Sequence, residues 1–496
     1  MTPPDFNAAH WIAWVVLTPL IGAMLSFLWP RRASLVGMST AFVTVGVVVA
    51  LYRQVLEQGV IRYAVGGWGA PLGIDLYADG LSLLMLLMSA LVGVSVSLYA
   101  LGYFKRDDSN PAGFWPLWLM MWTGLNGLFL AADIFNLYVT LELLGLSAVA
   151  LVALAGSKNA LNGAMQYLLV SLLGSLCYLL GVALLYHAYG TVDIQLLGIA
   201  VNHHPVSYVA LGLMVGAMVL KSALFPLHFW LPAAHASAPT PVSALLSAVV
   251  VKASIYLLLR IWFDVFPGVT QGAALESDSG PDLDLGLLLG LLGAAAVLWG
   301  SIQALRQTRL KLLVAYSTVA QLGYLFLPFA MLSAIAWQGG VYFMLSHALA
   351  KAAMFMAAGN ILKFGGHDRI ADLDRIAQRL PITMTAFCLA GVSLMGLPPS
   401  GGFIAKWLLL EAALIHGQWF WVVVILVGGL LAAGYIFKVV GYAFTRADVV
   451  HDVQPVPLTM EWAALALALA AIALGLFAPY PLALLEVGQP LVGVSP

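Results

Sequence analysis

The chain has 496 residues, of which 62% are hydrophobic and only 9% are charged. Water-soluble domains do not have this composition, and repeated apolar runs of about 18 or more residues are typical of a helical protein that crosses a membrane many times. The formal net charge of -1 and the lack of a basic tail give no sign of nucleic-acid binding.

These runs predict an all-α polytopic membrane protein with about fourteen transmembrane helices. In chain order the predicted helices cover residues 9–29, 35–55, 78–100, 115–131, 133–155, 161–187, 207–229, 241–263, 284–303, 310–333, 337–363, 383–415, 418–440 and 460–480. A hairpin-like segment at 60–77 separates the second helix from the third.

Lysine and arginine are distributed unevenly between the predicted loops. Of the 21 basic residues, Arg53, Arg62 and Arg260 follow or end even-numbered helices, and four lysines lie within helices. The other fourteen follow or end odd-numbered helices: Arg31, Arg32, Lys105, Arg106, Lys158, Arg306, Arg309, Lys311, Lys363, Arg369, Arg375, Arg379, Lys438 and Arg446. Because cytoplasmic loops carry the excess of basic residues, we expect these loops to be cytoplasmic and both termini to lie outside the cell membrane.

Two predicted helices are interrupted at matching places in the chain. The seventh breaks between Phe225-Pro226 and Leu231-Pro232, just after Lys221, and the twelfth breaks at 396–402, just before Lys406. Paired broken helices indicate inverted repeats, here two units of five helices, from the fourth to the eighth and from the ninth to the thirteenth. The predicted regions are N-terminal helices at 1–110, a first repeat at 111–265, a second repeat at 284–445, and a C-terminal helix and tail at 446–496.

Ionisable residues within the predicted helices are the candidates for function. Glu142, Lys221 and Lys252 each lie well inside an apolar run. A lysine at the centre of a bilayer costs about 2.5–3.5 kcal/mol, and such residues usually mark a path for ions or protons. The alternative for Glu142 is a protonated carboxyl that hydrogen-bonds to a neighbouring helix.

The second half of the chain has a similar set. His347 and Lys351 are four residues apart, so they share one helix face, and Lys406 follows the second break. A structural pair in a kinked helix is the alternative for the first two, and a helix end that reaches water is the alternative for Lys406. Glu411 is nearer the end of its helix, and we expect it to lie outside the path.

Two further histidines, His228 and His235, flank the first break and are accessory candidates. Capping of free backbone carbonyls is the equally weighted alternative. No Cys, Asp or Glu lies beside them at ligand spacing, so we expect no metal site. The chain also has no nucleotide, redox or hydrolase motif in a usable context, and we expect no cofactor.

These residues lie in five stretches that follow one another along the chain: DIFNLYVTLELLGLSA, KSALFPLHFWLPAAHASAPTPVSALL, VVVKASIYLLLR, SHALAKAAMF and GLPPSGGFIAKW. Together they resemble the antiporter-like subunits that are shared by Mrp-type sodium/proton antiporters, respiratory complex I and membrane-bound hydrogenases. The resemblance covers about residues 110 to 450.

Within this family the sequence is similar to the MrpD group, the D-type subunits of Mrp antiporters. Lys406 fits that group, whereas one complex I relative has glutamate there, and the tract GWGAPLGIDLYADGLSLLMLLM is similar to its pattern. The chain length and the expected lack of a long C-terminal lateral helix also favour the MrpD group. Ala233 is a departure, because many relatives have an acidic residue after the Leu-Pro pair.

The resemblance implies a proton-translocating subunit of a multisubunit sodium/proton antiporter, without catalytic chemistry of its own and with other membrane subunits as partners. A proton-pumping subunit of a complex I-type oxidoreductase or a membrane-bound hydrogenase is the alternative. A purely structural subunit, a quinone-reducing subunit and a stand-alone solute transporter are weaker alternatives. The implied proton relay runs through Glu142, Lys221, Lys252, His347, Lys351 and Lys406.

A physical hypothesis for this relay follows from the charges. Two unit charges ~4 Å apart interact by about 4 kcal/mol at an effective dielectric constant of ~20. We therefore expect Lys221 to stay protonated while it is paired with Glu142, and to favour proton release from Lys252 when that pair opens. Because the predicted helices contain no carboxylate cluster that could bind dehydrated sodium, we expect a sodium path in partner subunits or at their interfaces.

Overall fold

The computed structural model describes residues 10–71, 73–104, 111–270, 284–447 and 454–490. Lys105 and Arg106, which we assigned to a cytoplasmic loop, lie outside the described residues. The helices are α1 (His10–Leu28), α2 (Ala33–Gln58), α3 (Gly80–Tyr103), α4 (Pro111–Leu130), α5 (Ile134–Ala153), α6 (Lys158–Tyr189), α7 (Ile194–Ala200), α8 (Pro205–Lys221), α9 (Trp230–Ser237), α10 (Thr240–Val265), α11 (Pro267–Thr270), α12 (Leu285–Arg306), α13 (Leu310–Tyr324), α14 (Leu327–Met331), α15 (Ala334–Gly365), α16 (Ile376–Arg379), α17 (Pro381–Met395), α18 (Gly401–Ile415), α19 (Trp419–Phe444), α20 (Leu458–Leu476) and α21 (Pro479–Leu485).

The helices are those of a multi-pass membrane protein. Among the described residues, eleven helical segments are long and apolar enough to cross a bilayer. Two of them, α10 and α15, are buried along their whole apolar window, whereas less than half of the α1 and α2 windows is buried. Lys252, His347 and Lys351, which are discussed below, belong to the two wholly buried helices, whereas Glu142 lies on α5, whose window is less than half buried.

One small sheet is the exception to the predicted all-α fold. Strands β1 (Ile61–Ala64) and β2 (Asp75–Ala78) pair antiparallel, with Ile61 opposite Ala78 and Ala64 opposite Asp75. They form in the segment that the sequence marks as hairpin-like. A salt bridge of 2.7 Å between Arg62 Nε and Asp75 Oδ2 joins the two strands.

Loops that are distant in the chain are hydrogen-bonded to one another in two groups, which we call the hairpin face and the basic face. On the hairpin face, which we define by residues 59–71, 73–79, 131–133, 190–193 and 266–270, the Ala132 amide donates to the Asp75 carbonyl at 3.2 Å and the Ile134 amide donates to the Val192 carbonyl at 2.9 Å. On the basic face, defined by residues 307–309, 366–380 and 445–447, the Ile370 amide donates to the Thr308 carbonyl at 2.8 Å. The loops of the hairpin face follow even-numbered predicted helices, and those of the basic face follow odd-numbered ones.

Both predicted breaks lie where helices end. Helix α8 ends at Lys221 and α9 begins at Trp230, while α17 ends at Met395 and α18 begins at Gly401. A third interruption was not predicted, because residues 310–333 were assigned to one helix. Pro328 has no N–H to donate to the Tyr324 carbonyl. Helix α13 therefore ends at Tyr324, and the chain turns before α14.

Helices α12 and α13 approach each other closely through glycine. A Cβ atom on Gly300 would lie 2.5 Å from the Ala320 amide nitrogen, and one on Gly323 would lie 2.3 Å from the Gly293 carbonyl oxygen. Small residues at such crossings let two backbones pack in direct contact within a membrane. This contact fixes the position of α13, which carries part of the candidate site.

The first prediction concerns this crossing. Gly300→Val places two methyl groups against the backbone of α13, and overpacking of this kind typically destabilises a protein by about 1–3 kcal/mol. Thermal unfolding of the detergent-solubilised protein should therefore shift to lower temperature. Gly216→Val is the matched control, because a Cβ atom at this position of α8 has no neighbour within 4 Å. Equal unfolding temperatures for the two variants would contradict the packing described here.

Candidate functional site

Glu142 and Lys221 are in contact beside the first break. The Lys221 ammonium lies 3.5 Å from Glu142 Oε1, and their side chains are 5% and 19% exposed, respectively. Helix α6 supplies a hydroxyl to each partner: Lys221 Nζ donates to Ser171 Oγ at 3.0 Å, and Ser175 donates to the Glu142 carboxylate. The charge of the buried amine is thus balanced by a carboxylate and solvated by a hydroxyl.

The local sequence explains why Lys221 occupies this position. It is the last residue of α8, and a cation at a helix C-terminus interacts favourably with the partial negative charge of the last carbonyls. Gly174 of α6 makes room for its side chain, because a Cβ atom there would lie 3.1 Å from Lys221 Cγ. The break after Lys221 therefore creates the helix end, and Gly174 leaves the space that the side chain needs.

A small cavity lies between Lys221 and helix α10. Its volume is about 10 Å³, and it is lined by residues that include Ser171, Lys221 and Ser254. A space of this size is at the lower limit for one water molecule. It separates the Glu142–Lys221 pair from the helix that carries the next buried lysine.

Lys252 lies at the midpoint of α10 and has no exposed surface. Its ammonium donates to the Ser247 carbonyl, which belongs to a π-helical stretch at Leu246–Val250. In a π-helical turn each amide donates to the carbonyl five residues earlier instead of four. The turn therefore departs from the regular α-helical pattern and can offer carbonyls to other donors. The irregular turn thus solvates an amine in the middle of the protein.

Hydroxyl groups connect Lys252 to Lys351. Ser247 Oγ, on the residue whose carbonyl holds Lys252, lies 3.0 Å from Thr318 Oγ1 of α13. Thr318 Oγ1 donates to the Val314 carbonyl at 3.1 Å, and Lys351 Nζ of α15 donates to the same carbonyl at 3.1 Å. Lys351 also donates to Ser317 Oγ. A continuous line of polar atoms therefore joins the two amines across three helices.

His347 lies one helical turn from Lys351 on α15 and is buried. Neither ring nitrogen has a hydrogen-bond partner among the described residues, and the ring stacks on Phe343 with 5.9 Å between the centroids. The ring is close enough for electrostatic interaction with three lysines, namely Lys252, Lys351 and Lys406.

Lys406 reaches back across the second break. Its ammonium donates to the Leu394 and Met395 carbonyls, at 2.9 and 3.1 Å, at the C-terminal end of α17, and lies 4.7 Å from the ring centre of Tyr324. Gly396 allows this approach, because its φ is +81° and a Cβ atom would lie 2.6 Å from Lys406 Cδ. Both broken helices therefore place a lysine ammonium at a helix C-terminus.

A polar stripe on α13 extends from Lys351 to Lys406. Ser317, Gln321 and Tyr324 follow one another at helical spacing on one face, and Gln321 donates to the Tyr435 hydroxyl at 3.0 Å. Sequence reasoning missed these residues, because neutral polar side chains in an apolar helix are common. Their period in LVAYSTVAQLGY was the signal that could have revealed them.

The structure separates the two accessory histidines. His235 is fully buried, stacks on Phe355 at 4.7 Å, and has no partner for either ring nitrogen among the described residues. It lies within electrostatic range of Lys252, Lys311 and Lys351. His228 is only half-buried and stacks on Phe225, so it lies away from this cluster.

Lys311 is a residue that the sequence analysis placed wrongly. It was counted among the cytoplasmic loop residues, but the structure buries it in the first turn of α13. Its ammonium donates to the Ala238 carbonyl, and its amide nitrogen donates to Asp368 Oδ2 at 3.2 Å. The helix begins one residue before Lys311, and the chain between α9 and α10 covers its side chain. The Lys311 side chain lies within electrostatic range of His235, and its backbone amide is bonded to Asp368 of the basic face.

The side chains of this arrangement belong to types that exchange protons. Amines, imidazoles, hydroxyls and one carboxylate line it, and the described residues include no group of three or more His, Cys, Asp or Glu side chains placed to hold a metal ion. Each of these side-chain types can donate or accept a hydrogen bond.

The chain matches two family descriptions. Residues 131–432 match "NADH:quinone oxidoreductase/Mrp antiporter, TM". The chain belongs to this family. Residues 68–114 also match "NADH-Ubiquinone oxidoreductase (complex I), chain 5 N-terminus". The first match covers most of the residues described above, from Glu142 to Lys406.

Relatives of known name come from two kinds of complex. The chain is 37% identical to the N subunit of NADH-quinone oxidoreductase of Desulforudis audaxviator, over 88% of this chain and 87% of that protein. It is 27% identical to the D subunit of the Na(+)/H(+) antiporter of Alkalihalophilus pseudofirmus, over 86% of each chain. Both similarities extend over nearly the whole protein.

Solved structures of the family share the fold. A chain of the Mrp complex from Dietzia sp. DQ12-45-1b has a TM-score of 0.85 at 25% identity, with 97% of this chain and 98% of that chain covered. A chain of the membrane-bound sulfane sulfur reductase, an archaeal respiratory complex, has a TM-score of 0.87 at 27% identity, with 96% of both covered. The TM-score with a chain of respiratory complex I from Thermus thermophilus is 0.76 at 25% identity, with 96% of this chain and 99% of that chain covered.

A second prediction tests how the buried amine of Lys351 affects the stability of the fold. Replacement of buried ion pairs by apolar residues is often neutral or stabilises by about 1–4 kcal/mol. Lys351→Met keeps the length of the side chain and removes a buried amine that has no carboxylate within salt-bridge distance among the described residues, so no pairing energy is lost. The Val314 carbonyl retains the Ser317 and Thr318 hydroxyls as donors, so no acceptor is left empty. We expect a higher unfolding temperature in detergent. Lys158→Met, at an exposed position, should leave it unchanged; a large destabilisation by Lys351→Met would show that the amine supports the core.

Proposed function

We propose that the chain is the proton-translocating subunit of a multisubunit sodium/proton antiporter in the cytoplasmic membrane. The observation that carries this proposal is the buried line of proton-exchanging side chains from Glu142 to Lys406. Membership of the NADH:quinone oxidoreductase/Mrp antiporter family, similarity to the antiporter D subunit and similarity to a chain of the Mrp complex support it. The subunit acts as a transport module, and other membrane subunits of the complex are its partners.

In the proposed mechanism the Glu142–Lys221 pair is the switch. While the pair is closed, the carboxylate holds the proton on Lys221. When it opens, the charge on Lys221 is attracted less by Glu142 and acts on Lys252 across the small cavity, which favours release of the Lys252 proton. His347, Lys351 and Lys406 then carry the proton onward, along the polar stripe of α13. His235 is an accessory member, and His228 lies outside the relay.

The proposal includes a membrane arrangement. The chain would cross the bilayer fourteen times in two inverted five-helix repeats, with the basic face in the cytoplasm and the hairpin face and both termini outside. The separation of loops between the two faces supports this arrangement, as does the matching position of Lys221 and of the Lys406 ammonium at the ends of broken helices. Sodium would pass through partner subunits or their interfaces.

A proton-pumping subunit of a complex I-type oxidoreductase or a related respiratory complex is the second candidate. The identity of 37% to the oxidoreductase N subunit, against 27% to the antiporter D subunit, favours it. Both candidates use the same relay, and they differ in the chains that bind to it. Mild solubilisation of native membranes and mass spectrometry of the chains that copurify decides between them. Small antiporter subunits support the first candidate, whereas proteins with flavin or iron–sulfur clusters support the second.

A third prediction tests the relay itself. Glu142→Gln or Lys252→Ala, in the intact complex reconstituted in vesicles, should lower proton-coupled transport by about 100-fold or more, as expected when a positioned proton-transfer group is lost. Transport is followed with a fluorescent pH indicator after a sodium pulse. Glu411→Gln is the control, since this half-buried carboxyl of α18 lies outside the line, and it should stay active. Full activity of both relay variants in an intact complex would refute the mechanism.

A fourth prediction tests the hydroxyl connection between the two halves. The double variant Ser247→Ala, Thr318→Val keeps every charged residue and removes the link of 3.0 Å between α10 and α13. We expect transport to fall by about 10-fold, because proton transfer then needs a longer gap to be bridged. Ser89→Ala, which removes a buried hydroxyl of α3 that donates to the Leu86 carbonyl, is the control. Equal rates for the two proteins would show that protons take another way between Lys252 and Lys351.

A further inference from the structure

A second polar region lies on the hairpin face, apart from the line of buried amines. A cavity of about 280 Å³ opens there between the hairpin, α7 and the end of α10. Its walls include Arg62, Tyr77, Gln195, Arg260, Asp264 and Pro267. A space of this size holds several water molecules, so it can bring water into the protein from this face.

The charges around the cavity are arranged in two clusters with the same composition. Arg260 contacts Asp79 at 2.7 Å and Asp264 at 3.0 Å. Arg62 contacts Asp75 at 2.7 Å and also Asp193. Each cluster has two carboxylates for one guanidinium group. With all side chains ionised each cluster has one more negative than positive charge, and Arg62, Arg260 and Asp264 are the members that line the cavity itself.

Arg260 forms the floor of the cavity. Its side chain is 6% exposed, and its guanidinium also donates to Ser82 Oγ at 3.0 Å and to the Tyr256 hydroxyl at 3.1 Å. Arginine does not lose its proton in proteins, so Arg260 cannot itself pass protons on. Tyr256, whose buried hydroxyl accepts from the Arg260 Nε–H, can pass protons on. Its hydroxyl lies 3.3 Å from Ser82 Oγ and donates to the Phe129 carbonyl at 2.8 Å.

Tyr256 lies between the cavity and the relay on one face of α10. Lys252, Tyr256, Arg260 and Asp264 are spaced at intervals of four residues, which places them along the same side of the helix. At a rise of about 1.5 Å per residue, Arg260 is about 12 Å from Lys252 along the axis, and Tyr256 is halfway. The face thus runs from the middle of α10 to the hairpin face.

We propose that this cavity is the aqueous mouth of the relay on the hairpin face, and that Tyr256 transfers protons between Lys252 and the cavity. In inward transfer a hydronium ion in the cavity gives one proton to the Tyr256 oxygen, while the hydroxyl proton of Tyr256 passes to the neutral amine of Lys252. One proton enters the relay, and Tyr256 ends unchanged. Arg260 keeps its charge and acts as a gate, because its pairs with Asp79 and Asp264 hold it over Tyr256. This inference rests on the proposed function.

Blocking the mouth is the first test. In the complex with Cys177→Ala and Cys388→Ala, Pro267→Cys introduces a thiol into the cavity wall. A bulky, membrane-impermeant methanethiosulfonate should react from the hairpin side of sealed vesicles and stop transport. Trp68→Cys, at a position that is 76% exposed on the same face, is the control; it should react without loss of transport. Complete reaction of the Pro267→Cys thiol with undiminished transport overturns the proposal.

Removing the hydroxyl is the second test. Tyr256→Phe deletes one oxygen atom and should lower transport by about 100-fold, as for loss of a proton-transfer group. Tyr342→Phe is the matched control, because this buried hydroxyl also donates to a backbone carbonyl, that of Leu474, but lies away from α10. Each variant is compared at equal recovery of the assembled complex.

The two levels of the proposal fail in different ways. If Lys252→Ala retains transport, the relay is wrong. If Lys252→Ala abolishes transport while Tyr256→Phe and the modified Pro267→Cys variant retain it, the relay stands and this mouth is wrong. Loss of transport in all three, with both controls active, is the result that we expect.

Discussion

The structure depends on stabilising the amines of buried lysine side chains in a hydrophobic interior. Five lysines are buried in the helices described here: Lys221, Lys252, Lys311, Lys351 and Lys406. Among the described residues, only Lys221 has a carboxylate within salt-bridge distance. The others donate to backbone carbonyls, and Lys351 also donates to a hydroxyl. Carbonyl dipoles solvate an ammonium group without neutralising its charge, so these four amines are held in place without a carboxylate in contact.

Irregular backbone provides most of those carbonyls. In a continuous α-helix every interior carbonyl already accepts from the amide four residues on, so a side chain there shares the acceptor, as Lys351 does at Val314. The second break frees the last carbonyls of α17 for Lys406, and the π-helical stretch of α10 supplies the Ser247 carbonyl for Lys252. Such irregular segments are tolerated at membrane depth only where protein surrounds them, which is the case for the wholly buried α10.

The buried lysine beside each helix break has different partners in the two halves of the chain. In the first half the lysine beside the break is paired with Glu142, on α5, and helix α6 solvates both partners with serine hydroxyls. In the second half Lys406 faces the ring of Tyr324 and no carboxylate among the described residues lies within salt-bridge distance. A paired amine holds its proton more firmly than one that is solvated by dipoles alone. The asymmetry suits a line in which protons move from one end to the other.

The sequence predicted most of the long apolar helices, both proline- and glycine-rich breaks and the burial of Lys221, Lys252, Lys351 and Lys406. This was possible because hydrophobicity and the cost of a buried charge are properties of short segments. Lys311, the stripe of Ser317, Gln321 and Tyr324, and the different surroundings of His228 and His235 could not be predicted in this way. A neutral hydroxyl or a lysine near a helix end has the same local sequence whether lipid, solvent or another helix covers it. Only the packing of α10, α13 and α15 against one another decides which of these groups meet, since each contact joins residues that are far apart in the chain.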